Sequence, residues 1–86
     1  KGALNSATKA LSLEVASRGI TVNAIAPGII ESPMAASAFD PKRIAELVPA
    51  KRAGTPGEVA ALCGFLCSDE AGYISGQVIS INGGMV

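Results

Sequence analysis

Two short apolar segments, far apart along the chain, constrain its fold more than any other feature. Residues 20–26 and 77–81 are rich in β-branched side chains, and each is followed by a turn that contains Pro or Gly. Short segments that are apolar along their whole length are typical of strands buried in a parallel sheet. Because residues 27–76 lie between them, a tight hairpin is excluded and a right-handed parallel crossover is expected.

A helix is predicted before the first strand. Residues 2–17 are rich in Ala and Leu, and Leu4, Leu11 and Val15 form one apolar stripe. The pair Arg18-Gly19 is a typical helix end, since it places a cation in the last turn and Gly just beyond it.

Two further helices are predicted between the strands. Asp40 is a good N-cap for a short helix over residues 41–48. Thr55 and Glu58 form a capping box, which predicts a longer helix ending near residue 68. Residues 27–41 are expected to form a loop that can hold a short helical turn around residues 35–38. The order helix, strand, loop, helix, helix, strand indicates α/β architecture, namely the second half of a doubly wound parallel sheet.

Length and charge narrow the possible functions. The 86 residues carry 7 Lys and Arg against 7 Asp and Glu, with no His, so the net charge is zero. Neither a nucleic-acid binder nor a polybasic membrane-surface protein is expected, since both carry clustered positive charge. No segment approaches the roughly 18 apolar residues that span a membrane. The absence of His removes the commonest general base and the commonest zinc ligand.

Cys63 and Cys67 are interpreted as small buried apolar residues rather than as a metal or redox pair. Their CxxxC spacing is not the usual CxxC, and there is no second ligand pair. We therefore predict no metal site and expect a reducing, cytoplasmic location.

Four segments, in order, resemble motifs of the short-chain dehydrogenase/reductase family. Residues 20–28 (ITVNAIAPG) are similar to its late strand and Pro-Gly turn, and residues 75–84 (SGQVISINGG) to its final strand and closing turn. Residues 52–60 and 65–71 resemble the segments between them. Within the family, the pattern is most like that of 3-oxoacyl-(acyl-carrier-protein) reductases. The Pro-Gly turn and the closing Asn-Gly-Gly disfavour a different Rossmann-like enzyme, such as a methyltransferase.

The resemblance implies that residues 1–86 are the C-terminal part of a single Rossmann-type NAD(P)-binding domain whose N-terminal half precedes Lys1. Lys1 falls where the family has the catalytic Lys of its Tyr-x-x-x-Lys signature. There its ammonium would lower the pKa of the catalytic phenol, ordinarily about 10, and hold the nicotinamide ribose. The catalytic Tyr and Ser and the glycine-rich loop would lie upstream. Tyr73 is not followed by Lys four residues later, so we expect no activity from the 86 residues alone.

A second predicted site follows the first strand, where ligands bind in open α/β sheets. The resemblance implies that the Ile30 backbone and the Ser32 hydroxyl contact the nicotinamide carboxamide, with Pro27 and Gly28 beside them. Gly28 is expected to permit a sharp turn and a close approach of the backbone to a ring. Many relatives carry Thr where this chain has Ser32. Asn23 is interpreted as a structural hydrogen-bonding residue, and Arg18 and Arg52 as members of surface or interface ion pairs.

Residues 33–50 are expected to form a mobile flap over the substrate, with Met34, Ala35 and Phe39 along an acyl or alkyl path. The implied reaction is hydride transfer between NADP or NAD, with NADP favoured, and a carbonyl or alcohol. The favoured substrate is a 3-oxoacyl thioester of acyl carrier protein, in fatty acid biosynthesis. Sugar, alcohol or steroid substrates stay open, as does a non-catalytic remnant or assembly module. The parent protein is expected to be a homo-oligomer, either a tetramer or a dimer.

Overall fold

The computed structural model describes residues 2–85, which form four α-helices and a two-stranded sheet. The helices are α1 (Gly2–Val15), α2 (Pro33–Ala38), α3 (Pro41–Leu47) and α4 (Pro56–Leu66). The strands are β1 (Ala24–Pro27) and β2 (Val78–Ile81), and short 3-10 turns lie at Ala16–Arg18 and Asp69–Ala71. The α/β class and the predicted order of elements are confirmed, with α2 added.

The two strands are parallel neighbours. The Ala24 N–H donates to the Gln77 carbonyl, and the Gly28 N–H donates to the Ile81 carbonyl, both at 2.9 Å. Residue numbers therefore rise together along both strands, as the predicted crossover requires. The chain divides into two compact units, the first formed by residues 2–25 and 62–79 and the second by residues 26–61 and 80–85.

In the first unit, α1 ends at Val15, two residues before its predicted end, and a 3-10 turn over Ala16–Arg18 continues it to the predicted stop. Gly19 has φ 73° and donates its N–H to the Ala16 carbonyl at 3.0 Å, so the predicted Arg18-Gly19 stop is confirmed. Thr8 and Ser12 are the buried residues of the helix, whereas Leu4 and Leu11 of the predicted apolar stripe are exposed.

The first strand begins four residues later than predicted, because its pairing is irregular around Asn23. The Val22 carbonyl accepts from the Gly76 N–H at 2.7 Å, but Ala24 pairs with Gln77 rather than with Gly76. The Asn23 side chain fills this break, accepting from the Gln77 N–H at 3.1 Å and donating to the Ile74 carbonyl at 3.0 Å. Its predicted structural role is confirmed.

In the second unit, side-chain caps fix the starts of the short helices. Ser32 caps α2 and Asp40 caps α3, and in each case Pro stands in the first turn. The short helical turn predicted around residues 35–38 is confirmed, and it begins earlier, at Pro33, because the Ser32 cap, Pro33 and the following alanines are sufficient for a helix. The short helix predicted after Asp40 is confirmed as α3.

Val48, only 3% exposed, anchors the core of the second unit. It packs against the C-terminal turn, where a Cβ on Gly83 would lie 2.6 Å from Val48 Cγ1. Within residues 2–85, no helix has the length and apolar character needed to cross a membrane.

Candidate functional site

The loop after β1 begins with a glycine that its neighbours leave no room to replace. A Cβ on Gly28 would lie 2.7 Å from the Cβ and 3.0 Å from the Cα of Asn82. Gly28 is not among the glycines with positive φ. The structure therefore gives a different reason for this glycine from the predicted sharp turn: the chain after β2 packs directly on it.

Ile30 forms an isolated parallel bridge with Gly54. The Gly54 N–H donates to the Ile29 carbonyl at 2.9 Å, and the Glu31 N–H donates to the Gly54 carbonyl at 2.8 Å. Because the residues on either side of Ile30 make both bonds, the N–H and C=O of Ile30 itself point away from Gly54. Neither group is hydrogen-bonded to any part of the chain that the structure describes. The bridge thus presents one donor and one acceptor on the free edge of the loop.

Ser32 holds its hydroxyl in place by capping α2. Its Oγ accepts from the Ala35 N–H at 3.0 Å, and its carbonyl accepts from the Ala36 N–H at 2.9 Å. A hydroxyl that accepts one hydrogen bond still has its proton to donate. The exposed Ser32 hydroxyl is therefore an oriented donor two residues beyond Ile30.

A cavity of about 370 Å³ lies beside α2 and α3. Ala35 and Phe39 of the predicted substrate path line it together with Ser32, whereas Met34 is 81% exposed and does not. The walls are largely apolar, and charged groups stand at Glu31, Lys51 and Arg52. The complete lining is Glu31, Ser32, Ala35, Ala36, Phe39, Pro41, Ile44, Lys51, Arg52 and Ala53.

Lys51 was missed by the sequence reasoning, although it lines this cavity. Its backbone has φ 64°, and its N–H donates to the Val48 carbonyl at 2.8 Å. A side chain in this left-handed region is uncommon, and such positions cluster at functional sites. No local sequence signal marks the conformation, because Lys has no preference for it.

Arg52 and Glu58 form a bidentate ion pair, which confirms the predicted role of Arg52. Arg52 Nη1 and Nη2 each lie 2.9 Å from a different carboxylate oxygen of Glu58. The hydrogen bond from Arg52, aided by the Thr55 N–H, lowers the pKa of Glu58 to about 2. The same pairing raises the pKa of Arg52. The predicted capping box is confirmed, since the Thr55 N–H donates to Glu58 Oε1 at 2.9 Å and the Glu58 N–H donates to Thr55 Oγ1 at 3.1 Å.

The first unit contains both cysteines. Cys63 and Cys67 are free and exposed, so the prediction that they are buried was wrong for this chain. Cys63 lies on α4, which is apolar on most of its sides, and Cys67 lies in the turn directly after it. Within residues 2–85, no group of three or more metal-ligating side chains forms.

The family follows from a match over the whole sequence. A family model described as enoyl-(acyl carrier protein) reductase matches residues 1–86. The chain belongs to the short-chain dehydrogenase/reductase family. A 3-oxoacyl-(acyl-carrier-protein) reductase of Vibrio cholerae is 51% identical to this reductase-family chain over 80 residues, covering 91% of the chain and 33% of the relative. A glucose and ribitol dehydrogenase homolog of rice, Oryza sativa, is 44% identical over 89 residues. That match covers 100% of the chain and 30% of the relative.

Solved structures agree with this family assignment. The crystal structure of YwfH, described as an NADPH-dependent reductase involved in bacilysin biosynthesis, superposes with a TM-score of 0.91 at 38% identity. The match covers 99% of this chain and 37% of YwfH. The short-chain dehydrogenase/reductase segment thus spans about a third of the length of the relatives it matches. Its predicted catalytic Lys1 lies outside the described residues.

Proposed function

We propose that this chain is the C-terminal part of an NAD(P)-dependent oxidoreductase that transfers hydride between nicotinamide and a carbonyl or alcohol. The proposal rests on the polar groups of the loop after β1. There the N–H and C=O of Ile30 and the hydroxyl of Ser32 stand together with no partner for the Ile30 groups among residues 2–85. Membership of the family supports the same assignment.

These groups fit the carboxamide of a nicotinamide ring. A primary carboxamide has a carbonyl that accepts hydrogen bonds and an amino group that donates two. The Ile30 N–H and the Ser32 hydroxyl would donate to the carbonyl, and the Ile30 C=O would accept from the amino group. The bound nicotinamide would supply or take up the hydride. Pro27 and Gly28 hold this loop at the carboxyl end of β1, where ligands bind in such sheets.

The cavity beside α2 and α3 supports an apolar acyl or alkyl substrate. Its volume of about 370 Å³ lies within the usual range for small-molecule sites, and Ala35 and Phe39 contribute apolar wall. We favour a 3-oxoacyl thioester carried by acyl carrier protein, consistent with the name of the Vibrio cholerae relative. A sugar substrate is the second candidate, because the rice relative is described as a glucose and ribitol dehydrogenase homolog.

The remaining parts of the proposal rest on the family resemblance. Lys1 would hold the nicotinamide ribose and lower the pKa of a Tyr phenol upstream. NADP is the favoured cofactor, as the description of YwfH as NADPH-dependent suggests for that neighbour. The whole protein is proposed to be a cytoplasmic homo-oligomer, either a tetramer or a dimer, acting in fatty acid biosynthesis.

The test uses the natural polypeptide that contains these residues. Oxidation of NADPH and of NADH is followed at 340 nm with acetoacetyl thioester, with a ketosteroid and with a keto sugar. We expect oxidation of NADPH with the thioester. No oxidation of either nucleotide with any carbonyl would refute the proposal, and turnover of only the sugar or the steroid would overturn the favoured substrate.

Variants of Ser32 test the carboxamide contact. Ser32→Ala should raise the cofactor KM, because it removes the oriented hydroxyl, and Ser32→Thr should restore it, because Thr also caps a helix. Ser37→Ala is the matched control, since the Ser37 hydroxyl also lies on α2 but donates only to the Pro33 carbonyl, at 3.1 Å. An unchanged cofactor KM in Ser32→Ala would contradict the assigned contact.

A further inference from the structure

We infer that Arg52 and Glu58 are positioning residues for nicotinamide recognition, acting through the bridge between Gly54 and Ile30. The inference rests on the proposed function, since it concerns the same carboxamide-binding backbone. Neither side chain would touch the cofactor; together they would fix the segment that holds Ile30 in place.

The first link is the peptide unit between Ala53 and Gly54. Arg52 Nη1 donates to the Ala53 carbonyl at 3.0 Å while it also pairs with Glu58 Oε1 at 2.9 Å. The N–H of the same peptide unit, that of Gly54, donates to the Ile29 carbonyl at 2.9 Å. One peptide group is thus bonded on its oxygen by the guanidinium and on its nitrogen by the loop after β1. Hydrogen bonds in such a chain polarise and strengthen one another.

The second link is the start of α4. Glu58 Oε1 accepts from the Thr55 N–H as well as from Arg52, so the carboxylate joins the helix cap to the guanidinium. A capping box needs only the Thr55 and Glu58 partners. Arg52 is not part of the capping box, and its hydrogen bonds connect residues 52–54 to the start of α4. The pairing extends the pH range over which Glu58 is ionised downward, since its pKa is lowered from 4.5 to about 2.

The third link is close packing at the bridge itself. A Cβ on Gly54 would lie 3.0 Å from Ile30 Cδ1, so the Ile30 side chain already lies against this backbone. Ile30, Gly54, Arg52 and Glu58 also line one small cavity of about 120 Å³. Any displacement of residues 52–54 would therefore move the N–H and C=O of Ile30 on the opposite edge of the loop.

If the pair of Arg52 and Glu58 only stabilised the fold, breaking it would lower thermal stability. The Arg52 and Glu58 side chains are 58% and 44% exposed, and ion pairs this exposed contribute little to folding. Because an exposed ion pair is weak, breaking it should change cofactor affinity by no more than about fivefold. We therefore expect a measurable change in cofactor binding with little change in thermal stability.

The experiment compares Glu58→Gln and Arg52→Gln in the complete natural enzyme. Gln at the Glu58 position keeps the capping box but removes the charge that holds Arg52. Each variant should raise the cofactor KM by up to about fivefold, with kcat at saturating cofactor unchanged and Tm changed only slightly. The carbonyl KM should stay unchanged in Glu58→Gln, since Glu58 does not line the proposed substrate cavity. The double variant should be no worse than either single one, because both break the same pair. Glu70→Gln, at an exposed carboxylate in the first unit, is the control and should leave every value unchanged.

Two results would overturn the inference. One is a cofactor KM equal to that of wild type in both single variants. The other is a parallel fall of kcat and Tm, which a purely structural role would give. If the wild-type enzyme oxidises neither NADPH nor NADH, the proposed function is refuted, and the inference fails with it. The wild-type measurement therefore distinguishes failure of the proposed function from failure of the inference alone.

Discussion

Replacing Gly28 by Ala tests the packing that holds the candidate site in place. The added Cβ would lie 2.7 Å from Asn82 Cβ and 3.0 Å from Asn82 Cα. Carbon atoms in contact ordinarily lie about 3.5–4.0 Å apart, so one of the two backbones has to move by most of an ångström. Overpacking of this kind typically costs about 1–3 kcal/mol. Because rotation about the Asn82 side-chain torsions moves neither Cα nor Cβ, a rotamer change cannot relieve the clash.

The measurement is urea denaturation of the complete natural protein, with the cofactor KM as a second readout. Gly28→Ala should lower the free energy of unfolding by about 1–3 kcal/mol and raise the cofactor KM, since Ile30 and Ser32 follow on the displaced loop. Gly64→Ala is the matched control, because no atom lies within 4 Å of its Cβ position and a helix favours Ala. An unfolding free energy for Gly28→Ala within about 0.5 kcal/mol of wild type would show that this reasoning is wrong.

Three further predictions concern stability. Lys51→Gly should raise the unfolding free energy by up to about 1 kcal/mol, because φ is 64° there, whereas Lys51→Val should lower it; thermal denaturation distinguishes the two. Asn23→Leu should cost about 2–3 kcal/mol in urea denaturation, since the Gln77 N–H and the Ile74 carbonyl both lose their partner. Glu58 has a folded pKa of about 2 against an ordinary 4.5, so its contribution to stability is present above pH 4.5 and is lost as the pH falls towards 2. Because the pair is exposed, this loss is small. A pH series of denaturation midpoints should fall slightly more in wild type than in Glu58→Gln below pH 4.5.

Local signals explain what the sequence predicted correctly. The caps at Asp40 and Thr55 and the stop at Gly19 each depend on residues within one helical turn, so the chemistry of the neighbouring residues decides them. The same logic applied to Ser32 would have placed the start of α2, of which only a turn around residues 35–38 was predicted. The cap was missed because the prolines around this segment are equally typical of a loop.

Pairing between distant segments explains what the sequence could not predict. The bridge from Ile30 to Gly54 and the displaced register at Asn23 depend on which backbones meet, and no residue type at those positions indicates the partner. The residue type at position 51 does not indicate the left-handed backbone of Lys51 either. The sequence therefore predicted only part of the candidate site. Its residues in the loop after β1 were expected, but the segment that supports them was not.

The turn after β2 connects the two sides of the candidate site. Asn82 occupies the space beside Gly28, at the start of the loop that carries Ile30. One residue later, the Gly83 carbonyl accepts from the Ala50 N–H at 3.0 Å, where the chain leaves α3 and approaches the cavity beside α2 and α3. Gly83 itself has φ 64° and would meet Val48 if it carried a Cβ. A single turn thus supports both the proposed cofactor loop and the wall of the proposed substrate cavity, which gives this closing Asn-Gly-Gly a structural reason independent of any contact with a ligand.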